Sequence, residues 1–94
     1  MGQGCEMPEI SRFRGLIIRM YYDDSSQHHK PNVHVFSGGD EAEVGIDGEM
    51  LAGRLPQKQY KLLAAWLILH EDELYRAWNL AVSNRRFDRI DPLH

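Results

Sequence analysis

The chain changes its hydrophobic period once, close to residue 56. Before that point apolar and polar residues alternate, as in "LIIRMYY" (16–22), "VHVF" (33–36) and "EAEVGID" (41–47), which is typical of strands with one buried face. From Gln57 to about Ser83 apolar residues recur with a period of about 3.6, which predicts a helix. The pattern predicts an α+β fold in which an antiparallel meander of about four strands carries one long C-terminal helix on one face.

Turn residues set the pairing of the predicted strands. Gly15 follows Phe13, "SGGD" (37–40) is a compact turn, and Asp47-Gly48 favours a two-residue type I′ hairpin. Counting outward from these turns gives a register with consistent parity across three strands. The predicted pairs are Val33 with Val44, His34 with Glu43, Val35 with Ala42, Phe36 with Glu41, Val44 with Leu51, Ile46 with Glu49, Glu43 with Ala52, and Glu41 with Arg54.

This register predicts a sheet with one apolar and one polar face. The apolar face receives the helix, and we expect Leu63, Trp66, Leu67, Leu74 and Trp78 to pack on Val33, Val35, Val44 and Ile46, so that Trp78→Ala costs roughly 3–5 kcal/mol. The helix can bend or break near residues 70–72, where Asp72 is a candidate second cap. A short strand is predicted around Arg89-Ile90. The polar face collects His34, Phe36, Glu41, Glu43 and Arg54, joined by Arg19 and Tyr21 if the preceding strand pairs alongside.

Length and composition favour one domain. The chain has 94 residues, which we divide into a loose leader (1–7) and a single α+β domain (8–94). It contains neither an apolar run near the ~18 residues of a membrane span nor a secretory signal pattern. The single cysteine, Cys5, cannot form an internal disulfide, so we expect a cytoplasmic protein. A formal net charge of −3 argues against a surface devoted to nucleic acid.

The chain contains four short motifs: Met7-Pro8 with Ile10 and Phe13, "MYYDD" (20–24), His34-Val35, and His70 and Glu73-Leu74 with Trp78. Together they resemble domain-of-unknown-function family 4160, which consists of small bacterial proteins. The resemblance covers Met7 to Leu93, although the loop "SSQHHKPNVHV" is longer than the family's usual segment. It implies a partner: members often lie beside a second small protein, as in toxin–antitoxin pairs.

Metal binding by the histidine-rich loop is one hypothesis. His28, His29 and His34 offer imidazole ligands, and Asp23 and Asp24 offer carboxylates within the same stretch. The chain lacks paired cysteines and the HExxH spacing of known zinc sites. We favour the alternative of a solvated loop with one histidine on the sheet, so we expect no tight metal site and no cofactor.

The polar face supports two further hypotheses. His34 or Glu43 can move a proton, while Arg19 and Arg54 can hold phosphate, as in a ribonuclease-like enzyme acting on RNA. Ordinary cross-strand pairing, of Glu41 with Arg54 and of His34 with Glu43, explains the same residues without chemistry. We therefore favour a non-enzymatic, protein-binding component of a toxin–antitoxin-like pair, with RNA as a possible target. A small metal-binding protein and a purely structural interaction domain are the alternatives, and the oligomeric state stays open.

Overall fold

Five antiparallel strands in sequential order form one sheet in the computed structural model, which describes residues 8–20 and 30–93. Two helices follow the sheet, so the predicted α+β class is confirmed, but the described residues contain five strands instead of about four. The elements are β1 (Glu9–Phe13), β2 (Leu16–Arg19), β3 (Asn32–Ser37), β4 (Asp40–Gly45), β5 (Met50–Gly53), α1 (Gln57–Leu69) and α2 (Glu71–Val82).

The extra strand arises from the turn between β1 and β2. Arg14 and Gly15 both have positive φ, at 51° and 82°. Positive φ at both central residues is what a type I′ turn requires, and this turn matches the twist of the two strands that it joins. Phe13 consequently pairs with Leu16, so the first apolar stretch folds back on itself as a hairpin.

The predicted register of β3 and β4 is confirmed. His34 pairs with Glu43, and the three flanking pairs, Val33 with Val44, Val35 with Ala42 and Phe36 with Glu41, are also present. On the other side, β2 pairs with β3 so that Arg19 lies opposite His34. The alternation of apolar and polar residues therefore continues across three strands.

The predicted turn between β4 and β5 is wrong in detail. Only Gly48 of the Asp47-Gly48 pair has positive φ, at 97°, so the turn is not type I′. The connection is longer because Ile46 leaves the strand, is buried, and donates its backbone N–H to the Pro31 carbonyl oxygen at 3.0 Å. An irregularity between Glu43 and Val44 then pairs Val44 with Met50 instead of the predicted Leu51, whereas Glu43 still pairs with Ala52.

The helical region consists of two helices and not one, and the break lies at His70, within residues 70–72 where the sequence left a bend or break open. A straight helix of this length would extend about 40 Å, whereas five strands span only about 20 Å. His70 leaves helical geometry, at φ −117° and ψ 26°, yet its N–H still donates to the Trp66 carbonyl oxygen. Asp72 lies in the first turn of α2 and does not cap it. Neither described helix has the length and hydrophobicity needed to cross a lipid bilayer.

The core lies between the helices and one face of the sheet. Val33, Val35, Val44 and Ile46 are buried as predicted, and so are Leu63, Trp66, Leu67 and Leu74. Trp78, in contrast, is only partly buried at the edge of this core. The break at His70 rotates α2 relative to the stripe of α1, so Ala77 and Ala81 occupy the core side of α2.

Residues 84–93 form a tail that contains no strand, so the predicted short strand at Arg89-Ile90 is wrong. Asn84 adopts positive φ, at 57°, and ends α2 as a left-handed cap residue. The tail then runs beside β1, where Ile90 donates one backbone hydrogen bond to the Ile10 carbonyl oxygen at 2.9 Å. The Trp66 indole N–H donates to the Asp91 carbonyl oxygen at 2.7 Å. A single ladder bond does not constitute a strand.

We expect Trp66→Ala to destabilise the fold by roughly 3–5 kcal/mol, because it removes a fully buried ring and its hydrogen bond to the tail. Trp78→Ala should cost less, since that ring is partly exposed. Chemical denaturation followed by circular dichroism measures both. An equal or larger loss for Trp78→Ala would contradict this description of the core.

Candidate binding face

The sheet face opposite the helices carries the candidate residues that the structure describes. We call it the open face and define it by side chains that alternate with those of the core. These are Arg12 on β1, Ile17 and Arg19 on β2, His34 and Phe36 on β3, Glu41 and Glu43 on β4, and Ala52 on β5.

One row of the open face is polar. His34 lies between Arg19 on β2 and Glu43 on β4, each directly opposite it in the register. All three are half-buried, and each takes part in at least one noncovalent interaction. The row continues to Glu9 on one side and Ala52 on the other. The structure thus brings together the proposed proton-transfer pair, His34 and Glu43, and one of the two proposed phosphate-binding arginines.

The neighbouring row has an apolar centre. Ile17 pairs with Phe36, and both side chains are half-buried although they face away from the core. Arg12 lies beside Ile17, and Glu41 lies beside Phe36, so a charged residue stands at each end of the apolar pair. Sequence alternation alone assigned Phe36 to this face, but Ile17 was not recognised as its partner.

Arg54 lies at the margin of the open face. Its backbone N–H donates to the Glu41 carbonyl oxygen at 3.1 Å, in keeping with the predicted register. Its side chain is 88% exposed and has Asp40 as an ionic partner at 3.8 Å, whereas the sequence suggested Glu41. Gly53, with φ 74°, directs the chain at this point out of the strand.

Glu9 forms an ionic cluster that the sequence did not reveal. Its carboxylate accepts hydrogen bonds from Arg12 at 2.7 Å and from Arg89 of the tail at 2.9 Å. The hydrogen bond from Arg12, followed by that from Arg89, lowers the pKa of Glu9 despite its partial burial. Because Arg89 is 80 residues away in sequence, only the Arg12 contact at i+3 had a local signal.

A second ionic cluster joins the start of β3 to the β4–β5 loop. The Lys30 ammonium contacts Asp47 at 2.6 Å and Glu49 at 2.5 Å. These hydrogen bonds, chiefly the one to Asp47, raise the pKa of Lys30, and Lys30 lowers the pKa of Asp47. Since Asn32 donates to the Lys30 carbonyl oxygen at 2.9 Å, the cluster fixes the entry into β3. The charges of Lys30, Asp47 and Glu49 therefore have a structural role.

Of the remaining candidates, some lie outside the described residues and one, His70, has a packing role. Tyr21, His28 and His29 lie outside the described residues, as do Asp23 and Asp24, which are all within 21–29. Within residues 8–20 and 30–93, no group of three or more His, Cys, Asp or Glu side chains is arranged to hold a metal ion. His70 packs on Trp66 with ring centroids 5.6 Å apart, and its Nδ1 lies 2.5 Å from a Glu73 oxygen.

Comparison with known proteins gives one match. The model of the family described as Domain of unknown function (DUF4160) matches residues 15–79, which is more than half of the chain. No curated protein matches the chain. No solved structure matches it either. The matched region contains β2 to β5, α1 and most of α2, and therefore most of the open face.

We expect Gly53→Ala to destabilise the protein by about 1–3 kcal/mol, because Gly53 has positive φ and a Cβ there would overlap the Glu41 carbonyl oxygen. Gly39→Ala is the matched control, since Gly39 has no atom within 4 Å of its added Cβ. Thermal and urea melts compare the two variants. A Gly53→Ala protein as stable as Gly39→Ala would contradict the described end of β5.

We expect the effect of Glu9→Gln on stability to depend on pH. The lowered pKa of Glu9 means that its carboxylate stabilises the folded state above its ordinary pKa, and that this contribution is lost as pH falls through the lowered value. At about pH 7 the variant should lose about 0.5–1 kcal/mol, a small value because both arginines are largely exposed.

Urea denaturation of wild type and Glu9→Gln at about pH 7 and about pH 2.5 tests this expectation. The difference between the two proteins should shrink at the lower pH. Glu41→Gln, on an exposed carboxylate of the same sheet, is the control and should change little. A difference that stays constant with pH would contradict the ionic role of Glu9.

Proposed function

The chain belongs to the Domain of unknown function (DUF4160) family, and we propose that it is a protein-interaction module whose open face binds a small partner protein. The observation that carries this proposal is the apolar pair Ile17 and Phe36, placed side by side on the face that the helices leave uncovered. Neither residue belongs to the hydrophobic core, which lies on the other face of the sheet.

The open face has the composition of a protein-binding surface. Interfaces place apolar and aromatic side chains at the centre and polar side chains at the rim, and a few central aromatic residues contribute most of the affinity. Here Phe36 and Ile17 occupy the centre, and Arg12 and Glu41 stand at the ends of their row. Phe36 is therefore the best candidate for an energetically dominant contact.

The charges on the open face favour a protein over a nucleic acid. Arg12 and Arg19 lie on β1 and β2, whereas Glu41 and Glu43 lie on β4, so the face carries both signs of charge with β3 between them. A phosphate backbone would be repelled by the two carboxylates, whereas a protein surface can complement both signs. The net charge of −3 acts in the same direction.

The partner in this proposal is a second small protein encoded beside this one, in a toxin–antitoxin-like arrangement. The resemblance of the motifs "MYYDD" and His34-Val35 to a family with such neighbours supports it, as does the small size of the chain. We propose that the pair acts in the cytoplasm, because a single cysteine cannot form an internal disulfide and therefore suits a reducing compartment.

A second candidate function is chemistry on RNA, and the polar row favours it. His34 lies directly between a cation, Arg19, and a carboxylate, Glu43, on adjacent strands. An imidazole in this position can accept or donate a proton near neutral pH while the arginine holds a phosphate oxygen. This candidate needs His34 itself, whereas partner binding needs Phe36, so the two are separable.

We expect Phe36→Ser to abolish co-purification with the product of the adjacent gene, because it removes the aromatic centre of the open face. Met50→Ser, which changes a 38% exposed apolar residue on β5, is the matched control and should bind normally. Arg54→Glu should weaken binding, since it reverses the charge of a residue at the margin of the open face. Retained binding by a folded Phe36→Ser protein would overturn the proposal.

His34→Ala decides between binding and chemistry. Growth is measured while each variant is expressed alone, and co-purification is measured with the partner present. If the open face acts only in binding, His34→Ala leaves both unchanged. Growth inhibition by wild type that disappears in His34→Ala, with partner binding intact, would instead support the ribonuclease-like candidate.

A further inference from the structure

Two large aliphatic side chains project into solvent where α1 ends. Ile68 is 76% exposed and Leu69 is 67% exposed, and they are the most exposed large hydrophobic residues among those described. They directly precede His70, where the helical direction changes. Burying two such side chains against another surface is favourable, so this projection, which we call the elbow, is suited to insertion into an apolar recess.

The chain carries a recess on the same side of the molecule, and half of the residues that line it are apolar and half are charged. A cleft of about 220 Å³ lies between α2 and the tail, and Leu80 and Phe87 contribute apolar side chains to it. A second cleft, of about 340 Å³, adjoins the elbow and is lined by Ile68 and Leu69. Glu73 and Arg76 line both clefts, so the elbow and the recess are neighbours along the outer side of α2.

Charges at the two ends of α2 have opposite signs. Glu71, Asp72 and Glu73 occupy its first turn, and Arg85 and Arg86 are exposed just beyond its last turn. The two groups are separated by about 20 Å along the helix direction. If two copies of α2 lie antiparallel, the acidic end of each copy faces the basic end of the other.

We infer that the outer side of α2 is the docking surface for a second copy of this chain, related by a two-fold axis, with the elbow of each copy inserted in the Leu80–Phe87 recess of the other. A two-fold interface requires that one surface carry both complementary halves. This surface does: it has projection and recess, and acidic and basic ends. Since the helices cover the face of the sheet opposite the open face, dimerisation is independent of the function proposed above.

Sedimentation of the full-length chain over a range of concentrations tests the inference. We expect a monomer–dimer equilibrium with a Kd on the order of micromolar, as for a modest interface. Leu69→Lys should weaken it about tenfold or more, because a charged side chain replaces the inserted aliphatic one. Met50→Lys, at the exposed apolar residue on β5, is the control and should dimerise as wild type does.

Charge exchange tests the two-fold arrangement itself. Asp72→Arg and Arg86→Glu should each weaken the dimer, and the double variant should recover much of the affinity because the charges at positions 72 and 86 are again opposite in sign. Circular dichroism confirms that each variant is folded. A monomer at every concentration, an equal loss in Met50→Lys, or a double variant weaker than both single ones would overturn the inference.

Discussion

The indole of Trp66 joins every layer of the molecule. It is fully buried, its ring lies 5.4 Å from that of Phe13 on β1, and its N–H donates to the Asp91 carbonyl oxygen of the tail. A buried indole N–H without an acceptor would carry a large desolvation cost, so the tail is held where it can supply one. One side chain of α1 therefore contacts both the sheet and the tail.

The break at His70 follows from a mismatch of lengths between the helical region and the sheet. Because the region folds into two helices, Leu63 and Trp66 of α1 and Leu74, Ala77 and Ala81 of α2 are all buried in the core. The same change of direction leaves Ile68 and Leu69 without a covering layer. A single geometric constraint thus explains both a buried and an exposed apolar set.

Much of the sheet could be predicted because its pairing depends on local features. The period of two and the "SGGD" turn are enough to place His34 opposite Glu43. The β4–β5 register failed by one residue because Ile46 gains more by burial and a hydrogen bond to Pro31 than by staying in the ladder. That balance depends on the distant start of β3, which no local pattern contains.

The candidate site was predictable to a similar extent and for the same reason. Alternation placed His34, Phe36 and Glu43 on one face, but the contact of Glu9 with Arg89 joins residues too far apart for any periodic signal. The helix break was also only partly visible, since residues 70–72 contain neither glycine nor proline. The width of the sheet that the helices cover, and not local helix propensity, explains the break.

The two edges of the sheet are protected in different ways, with a consequence for the folding pathway. β5 is short, irregular and flanked by charges. These features of β5 itself discourage the addition of a strand from another chain. β1 is shielded by Ile90, so its protection requires closing a loop of about eighty residues. Such closure is slow relative to hairpin formation. During synthesis the β1 edge therefore stays available to other chains longest, and aggregation of folding intermediates should begin there.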